Sequence, residues 1–163
     1  MLITFALVIH IVESFIPTPI PGAKLGLANV ITLMAFILYG LNSALLVSGI
    51  RTVLGSFFAG NFLGTGFYLS FSGAMISTLV MAVGIYLWRK DRLSLVAVSI
   101  MGAVAHNITQ VLIAALILAS PYLITTYLPI LLLLALPTGF FTGLVVTYTR
   151  KALANVIDDL HSQ

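Results

Sequence analysis

A few strongly polar side chains interrupt apolar segments that are long enough to cross a lipid bilayer. These residues are Glu13, Asn29, Arg51, His106, Asn107 and Gln110, and Lys24 lies near the end of one such segment. A charged side chain at the centre of a bilayer costs at least ~2.5 kcal/mol, so such groups normally face a protein interior or a pathway. We therefore treat all seven as candidate ligand-binding residues.

The charged members of this set indicate the charge of the ligand. Glu13, Lys24 and Arg51 together carry one negative and two positive charges. A site with this net positive field suits an anionic or zwitterionic ligand. The alternative is an ion pair between Glu13 and Arg51 or Lys24 that fixes helix packing, and the sequence does not decide between the two.

The imidazole and amide side chains have helical spacing. His106 and Gln110 are four residues apart and share one face of a helix, and His10 and Glu13 are three apart and share another. They could line one cavity, or they could form hydrogen bonds that only join the helices. His10, Glu13 and His106 include metal-ligand types, but nothing in their spacing requires a metal, so we expect none.

Composition places the chain in the membrane class. Hydrophobic residues make up 61% of the 163 residues and charged residues 7%, whereas a soluble domain is about 25% charged. The chain has no block of Lys and Arg that would engage nucleic acid. It also lacks the Gly-rich loop with Lys and Ser/Thr that binds ATP phosphates. We expect one all-α integral membrane domain over residues 1–163.

Gly- and Pro-containing breaks divide the chain into apolar segments of the length that one helical crossing requires. The predicted spans are 1–16, 24–40, 42–58, 66–88, 95–119 and 129–150, with a tight turn at Gly40. Arg89, Lys90 and Arg92 follow the fourth span, and Arg150 and Lys151 follow the sixth. The positive-inside rule makes their common face cytoplasmic. Both termini are then cytoplasmic, and the candidate residues lie in the outer half and the middle of the bilayer.

Small residues recur four apart in several predicted spans, as at Gly139 and Gly143. Such spacing lets membrane helices approach closely. We expect these glycines to mark helix contacts within the chain, and the alternative is a docking face for a partner.

Several segments carry a resemblance to a known family. They are residues 13–33, Arg51 to Ser56, Ser70 to Ala74 and Gly102 to Gln110. The chain resembles, over nearly its whole length, the small membrane family labelled heptaprenyl diphosphate synthase component I, or Gx transporter. That family looks like the substrate-binding S components of energy-coupling factor (ECF) transporters. The resemblance implies a six-helix bundle in a prokaryotic plasma membrane, paired with a transmembrane coupling subunit and two ATPase subunits.

Two functions are consistent with these observations. The leading expectation is an S component that captures a small polar or anionic metabolite, such as a vitamin, from outside through the seven candidate residues. ATP would be hydrolysed in the partner subunits, and this chain would need no cofactor. The alternative is a membrane accessory subunit in isoprenoid or quinone synthesis that binds a prenyl diphosphate through Arg51 and Lys24.

Neither function makes the chain an enzyme. Prenyl diphosphate synthases hold magnesium-diphosphate with aspartate-rich motifs, and the aspartates here are Asp91, Asp158 and Asp159. All three lie at the predicted cytoplasmic edge. We therefore expect binding without catalysis.

Overall fold

The computed structural model describes the backbone of Thr4, Val8 and residues 29–161, and the side chains of that part as far as residue 153. Over residues 29–161 it contains five α-helices: α1 (Asn29–Tyr39), α2 (Leu41–Phe58), α3 (Thr65–Trp88), α4 (Leu95–Ile117) and α5 (Tyr122–His161). The predicted all-α class is confirmed for this part of the chain.

The helices have the length and composition of membrane spans. Four of them, α2 to α5, are long and apolar enough to cross a bilayer, and α1 is a shorter apolar helix. The chain is therefore a membrane protein of helical type. The predicted span 1–16 lies outside the described residues, so the count of six spans stays a prediction.

A single glycine joins α1 to α2. Gly40 has φ 86°, a backbone conformation that glycine adopts without steric cost. Its amide donates to the Phe36 carbonyl at 2.9 Å, and its carbonyl accepts from the Ala44 amide at 3.2 Å. The predicted tight turn is confirmed. Because α1 and α2 turn back on each other here, Asn29 and Arg51, which are equally far from Gly40 in sequence, come face to face.

Small residues bring α4 close to its two neighbours. A β-carbon at Gly139 of α5 would lie 2.7 Å from the Ile100 Cα, and one at Gly143 would lie 2.6 Å from the Val96 Cα. On the other side, a β-carbon at Gly102 would lie 2.7 Å from the Met81 Cγ. The expectation that Gly139 and Gly143 mark a helix contact is confirmed. α4 is thus held tightly between α3 and α5.

The last helix begins earlier than predicted. The sequence predicted a break from Ser120 to Pro129, but α5 begins at Tyr122 and contains Pro129 and Pro137. Proline is tolerated inside membrane helices because nearby groups can satisfy the carbonyls that it leaves without an amide donor. The prediction was wrong because it applied the helix-breaking effect of proline in water.

The two basic segments lie at the same end of the bundle. The Arg150 guanidinium lies over the Trp88 ring, 4.9 Å from its centroid, and Trp88 directly precedes Arg89. The predicted shared face of the two segments is therefore supported by a direct contact. That this face is cytoplasmic remains a prediction.

The close approach of α4 and α5 gives a stability test. We expect Gly143→Ala to destabilise the protein by roughly 1–3 kcal/mol, because its β-carbon would overlap backbone that has no room to move. Gly49→Ala is the matched control, since a β-carbon there would lie 3.7 Å from the Met75 Cε, an ordinary contact. Thermal unfolding in detergent compares the two variants. Equal midpoints would contradict the packing that we describe.

Candidate functional site

Arg51 is the centre of a buried hydrogen-bond network. Its side chain is 3% exposed and lies about halfway along α2. Its Nη2 donates to the Asn29 Oδ1 at 3.1 Å. The Asn29 Nδ2 donates to the Ser77 Oγ at 3.3 Å, and that hydroxyl donates to the Gly102 carbonyl at 2.8 Å. This set, the Arg51 network, joins α1, α2, α3 and α4.

The hairpin at Gly40 and the small side chains of α3 position this network. Asn29 can reach Arg51 because α1 and α2 are antiparallel neighbours. It can also reach Ser77, because α1 packs against α3 as well as α2. A serine at 77 is short enough to donate onward to α4 without separating the two helices. The amide of Asn29 accepts from one helix and donates to another, which an ionised aspartate could not do.

His106 and Gln110 lie one and two turns further along α4. A β-carbon at Gly73 would lie 3.1 Å from both the His106 Nδ1 and the Gln110 Cγ. Both side chains therefore pack against α3 where it has no side chain of its own. The predicted common face of His106 and Gln110 is confirmed.

The buried polar positions continue from the Arg51 network toward one end of the bundle. α3 and α4 are antiparallel, so Gly73 and Ser70 follow Ser77 in the same direction as His106 and Gln110 follow Gly102. Ser70 is buried, and its hydroxyl has no hydrogen-bond partner among the described residues. We call Ser70, Gly73, His106 and Gln110 the polar track.

Asn107 faces the other side of α4. Its Nδ2 donates to the Leu131 carbonyl of α5 at 2.8 Å, so it joins α4 to α5 rather than entering the Arg51 network. Its Oδ1 is buried and accepts no hydrogen bond from any described residue. The structure thus separates Asn107 from His106 and Gln110.

Two of the seven predicted site residues, Glu13 and Lys24, lie outside the described residues, as does His10. Of the other five, the structure brings Asn29 and Arg51 together by a direct hydrogen bond. It packs His106 and Gln110 against Gly73 of α3 and turns Asn107 toward α5. Within the described part of the chain, no group of three or more His, Cys, Asp or Glu side chains could hold a metal ion.

The sequence analysis missed several buried hydroxyls. Ser77 completes the Arg51 network. Thr32 and Ser48 are each one turn from Asn29 and Arg51, and both are fully buried without a hydrogen-bond partner in the described part. The available signal was their spacing, three or four residues from a strongly polar residue on the same helix face.

Two open apolar grooves lie outside this polar interior. One, of about 590 Å³, lies between α3 and α4 and is lined by Tyr68, Phe71 and Ile113 among others. The other, of about 580 Å³, lies between α2 and α3, and Phe71 lines it too. These grooves can accept apolar chains but offer few polar groups.

Comparison with known proteins gives the family. The family model described as heptaprenyl diphosphate synthase component I matches residues 2–149. The chain belongs to this family. All seven candidate residues fall within the matched range, so the family assignment and the candidate site concern the same part of the chain. Neither the curated proteins nor the solved structures gave a significant match.

The contact between Asn29 and Arg51 yields a prediction for this family member. We expect Asn29→Ala to lower stability by roughly 1.5–3 kcal/mol, because it removes a hydrogen bond to a buried charged group. Asn42→Ala, at an exposed position of α2, is the control. Thermal unfolding of both variants in the same detergent measures the difference. A midpoint for Asn29→Ala that matches the control would show that this hydrogen bond does not support the fold.

Proposed function

We propose that this chain is a non-catalytic membrane subunit that binds a prenyl diphosphate, with Arg51 holding the phosphate groups. The observation that carries the proposal is the buried guanidinium of Arg51 within an apolar helix bundle. Among the described side chains, Arg51 is the one charged group that is buried. A buried intramembrane cation is by default a functional-site candidate.

The chemistry of the Arg51 network suits a phosphate group. A guanidinium presents five N–H donors in a planar fork that matches phosphate oxygens. Asn29 accepts from one terminal nitrogen of that fork and so fixes its plane. His106, Gln110 and Lys24 are proposed to contact the same ligand, and Glu13 is proposed to balance the charge of the site. The apolar grooves along α3 and the surrounding lipid would accept the isoprenoid tail.

The family description supports both the ligand class and a partner. A protein described as component I of a synthase implies a second component, and we propose that this partner carries the catalytic machinery. The sequence of this chain agrees with that division, since its aspartates Asp91, Asp158 and Asp159 lie at the predicted cytoplasmic edge, whereas Arg51 lies about halfway along α2. The proposed role here is to hold the ligand in the membrane.

A second candidate function is the S component of an ECF transporter. The polar track favours it, because buried polar positions lead from the Arg51 network toward the end of the bundle opposite the basic segments. By the positive-inside rule that end is the outer face. A small polar or anionic metabolite, such as a vitamin, would then enter from outside. A transmembrane coupling subunit and two ATPase subunits would drive its release, with both termini of this chain in the cytoplasm of a prokaryote.

The first test is a titration of the purified chain in nanodiscs with farnesyl diphosphate and with inorganic diphosphate. We expect Arg51→Ala to weaken farnesyl diphosphate binding at least about tenfold, because loss of one partner from a buried charge-assisted contact costs several kcal/mol. Thr52→Ala is the matched control, since the Thr52 hydroxyl donates within its own helix to the Ser48 carbonyl.

The outcomes of this titration separate the alternatives. Folded Arg51→Ala protein with unchanged binding would contradict the proposal, and so would a native chain that binds neither probe. Arg51→Ala protein that fails to fold would instead favour the ion pair with Glu13 as the role of Arg51.

The polar track gives a further prediction. If His106 and Gln110 contact the ligand, Gln110→Leu should weaken farnesyl diphosphate binding more than it lowers the melting temperature. The amide makes specific hydrogen bonds, whereas leucine is of similar size and suits the apolar surroundings. Binding isotherms and thermal unfolding of the same preparation give both quantities. A large fall in melting temperature with unchanged binding would show that Gln110 only joins the helices.

A further inference from the structure

Five cations gather at one end of the bundle, outside the proposed ligand site. α3 ends at Trp88, and the turn that follows carries Arg89, Lys90 and Arg92. Arg150 and Lys151 lie on α5 at the same level, because the Arg150 guanidinium contacts the Trp88 ring. All five side chains are exposed. We call these five residues the basic end.

Two of these five cations, Lys90 and Arg150, contact aromatic rings. The Lys90 Nζ lies 4.3 Å from the centroid of the Tyr86 ring and donates to the Tyr86 hydroxyl. Arg150 lies over Trp88 in the same manner. A ring holds a cation in place but leaves its N–H donors available for another acceptor. Asp91, in the same turn, is the nearest acidic residue in sequence.

The turn between α3 and α4 is well defined, so the cations are held near one another. The Arg92 amide donates to the Leu87 carbonyl at 3.0 Å, and the Asp91 amide donates to the Trp88 carbonyl at 2.9 Å. Asp91 has φ 56°, which ends α3 sharply. Ser94 then caps α4 by accepting from the Ala97 amide at 3.1 Å. The backbone groups of the turn are thus largely satisfied internally, so any ligand here would be bound by the exposed basic side chains.

We propose that the basic end is a binding site for the phosphate headgroup of an anionic membrane lipid. The orientation of the chain in the membrane requires only that basic residues lie on one side. It does not require that residues 89–92 and residues 150–151 lie close together. The contact of Arg150 with Trp88 instead joins them into one patch. Trp and Tyr rings lie at the headgroup level of a bilayer, so the cations that they hold are at the depth of lipid phosphates. This site is separate from the Arg51 network and does not depend on the proposed function.

The chain carries a built-in reporter for this site, because Trp88 is its single tryptophan. The full chain is placed in phosphatidylcholine nanodiscs that contain either brominated phosphatidylglycerol or, at the same mole fraction, brominated phosphatidylcholine. Both faces of a nanodisc are open, so insertion direction does not affect the result. The measured quantity is the ratio of Trp88 fluorescence quenching by brominated phosphatidylglycerol to quenching by brominated phosphatidylcholine. We expect a ratio of about five, because the anionic lipid associates more strongly beside Trp88.

Two triple variants test the origin of this preference. Arg89→Gln, Arg92→Gln and Arg150→Gln together should lower the ratio by about half or more, because only Lys90 and Lys151 of the basic end remain. The same three positions changed to Lys should retain most of it. The ratio cancels any change in the fluorescence of Trp88 itself. A native ratio near one would overturn the proposal, as would a glutamine variant that keeps the preference or a lysine variant that loses it entirely.

Inorganic diphosphate distinguishes a lipid from a soluble phosphate ligand. Added to the native protein in millimolar amounts, it should leave the preference for phosphatidylglycerol unchanged after correction for ionic strength with sodium chloride. Loss of the preference under these conditions would show that the patch takes a free phosphate compound and would overturn the assignment to lipid.

Discussion

The requirement that most constrains this structure is the burial of a guanidinium halfway along an apolar helix. In hydrocarbon, Arg51 can be tolerated only if the protein supplies hydrogen-bond acceptors around it. Asn29 supplies one, and it can do so because the turn at Gly40 folds α1 back on α2. Asn29 is in turn held by Ser77, and Ser77 by the backbone of α4. The placement of one charge therefore ties together four helices.

The close packing of α3 and α5 against α4 positions the polar side chains of α4. Gly139 and Gly143 let α5 lie against one side of α4, and Gly73 and Gly102 let α3 lie against the other. With both neighbours so near, His106 and Gln110 are confined to the seam at Gly73, and Asn107 is turned to the Leu131 carbonyl. The glycines thus decide which polar side chains of α4 pack against α3 and which turn toward α5. Stability and the geometry of the candidate site depend on the same contacts.

Local signals in the sequence predicted much of this arrangement. The length of the apolar segments located α2, α3 and α4 closely, Gly40 marked the turn, and a four-residue spacing placed His106 and Gln110 on one face. Other features depend on tertiary contacts that spacing does not encode. Asn29 and Ser77 are far apart in sequence and meet only because three helices converge, and Asn107 turns away from its neighbour His106 because α5 offers a carbonyl there. Pro129 lies inside α5, where a rule derived from soluble helices predicted a break.

The central claim is that the polar interior around Arg51 holds a phosphate-bearing ligand in the membrane. Native mass spectrometry of the gently purified chain tests it most directly, because it gives the mass of any retained small molecule and of any copurifying subunit together. Our account predicts a retained prenyl diphosphate, absent from Arg51→Ala protein, and a soluble prenyltransferase as partner. A retained water-soluble metabolite with a coupling subunit and two ATPases would contradict it and establish the transporter instead.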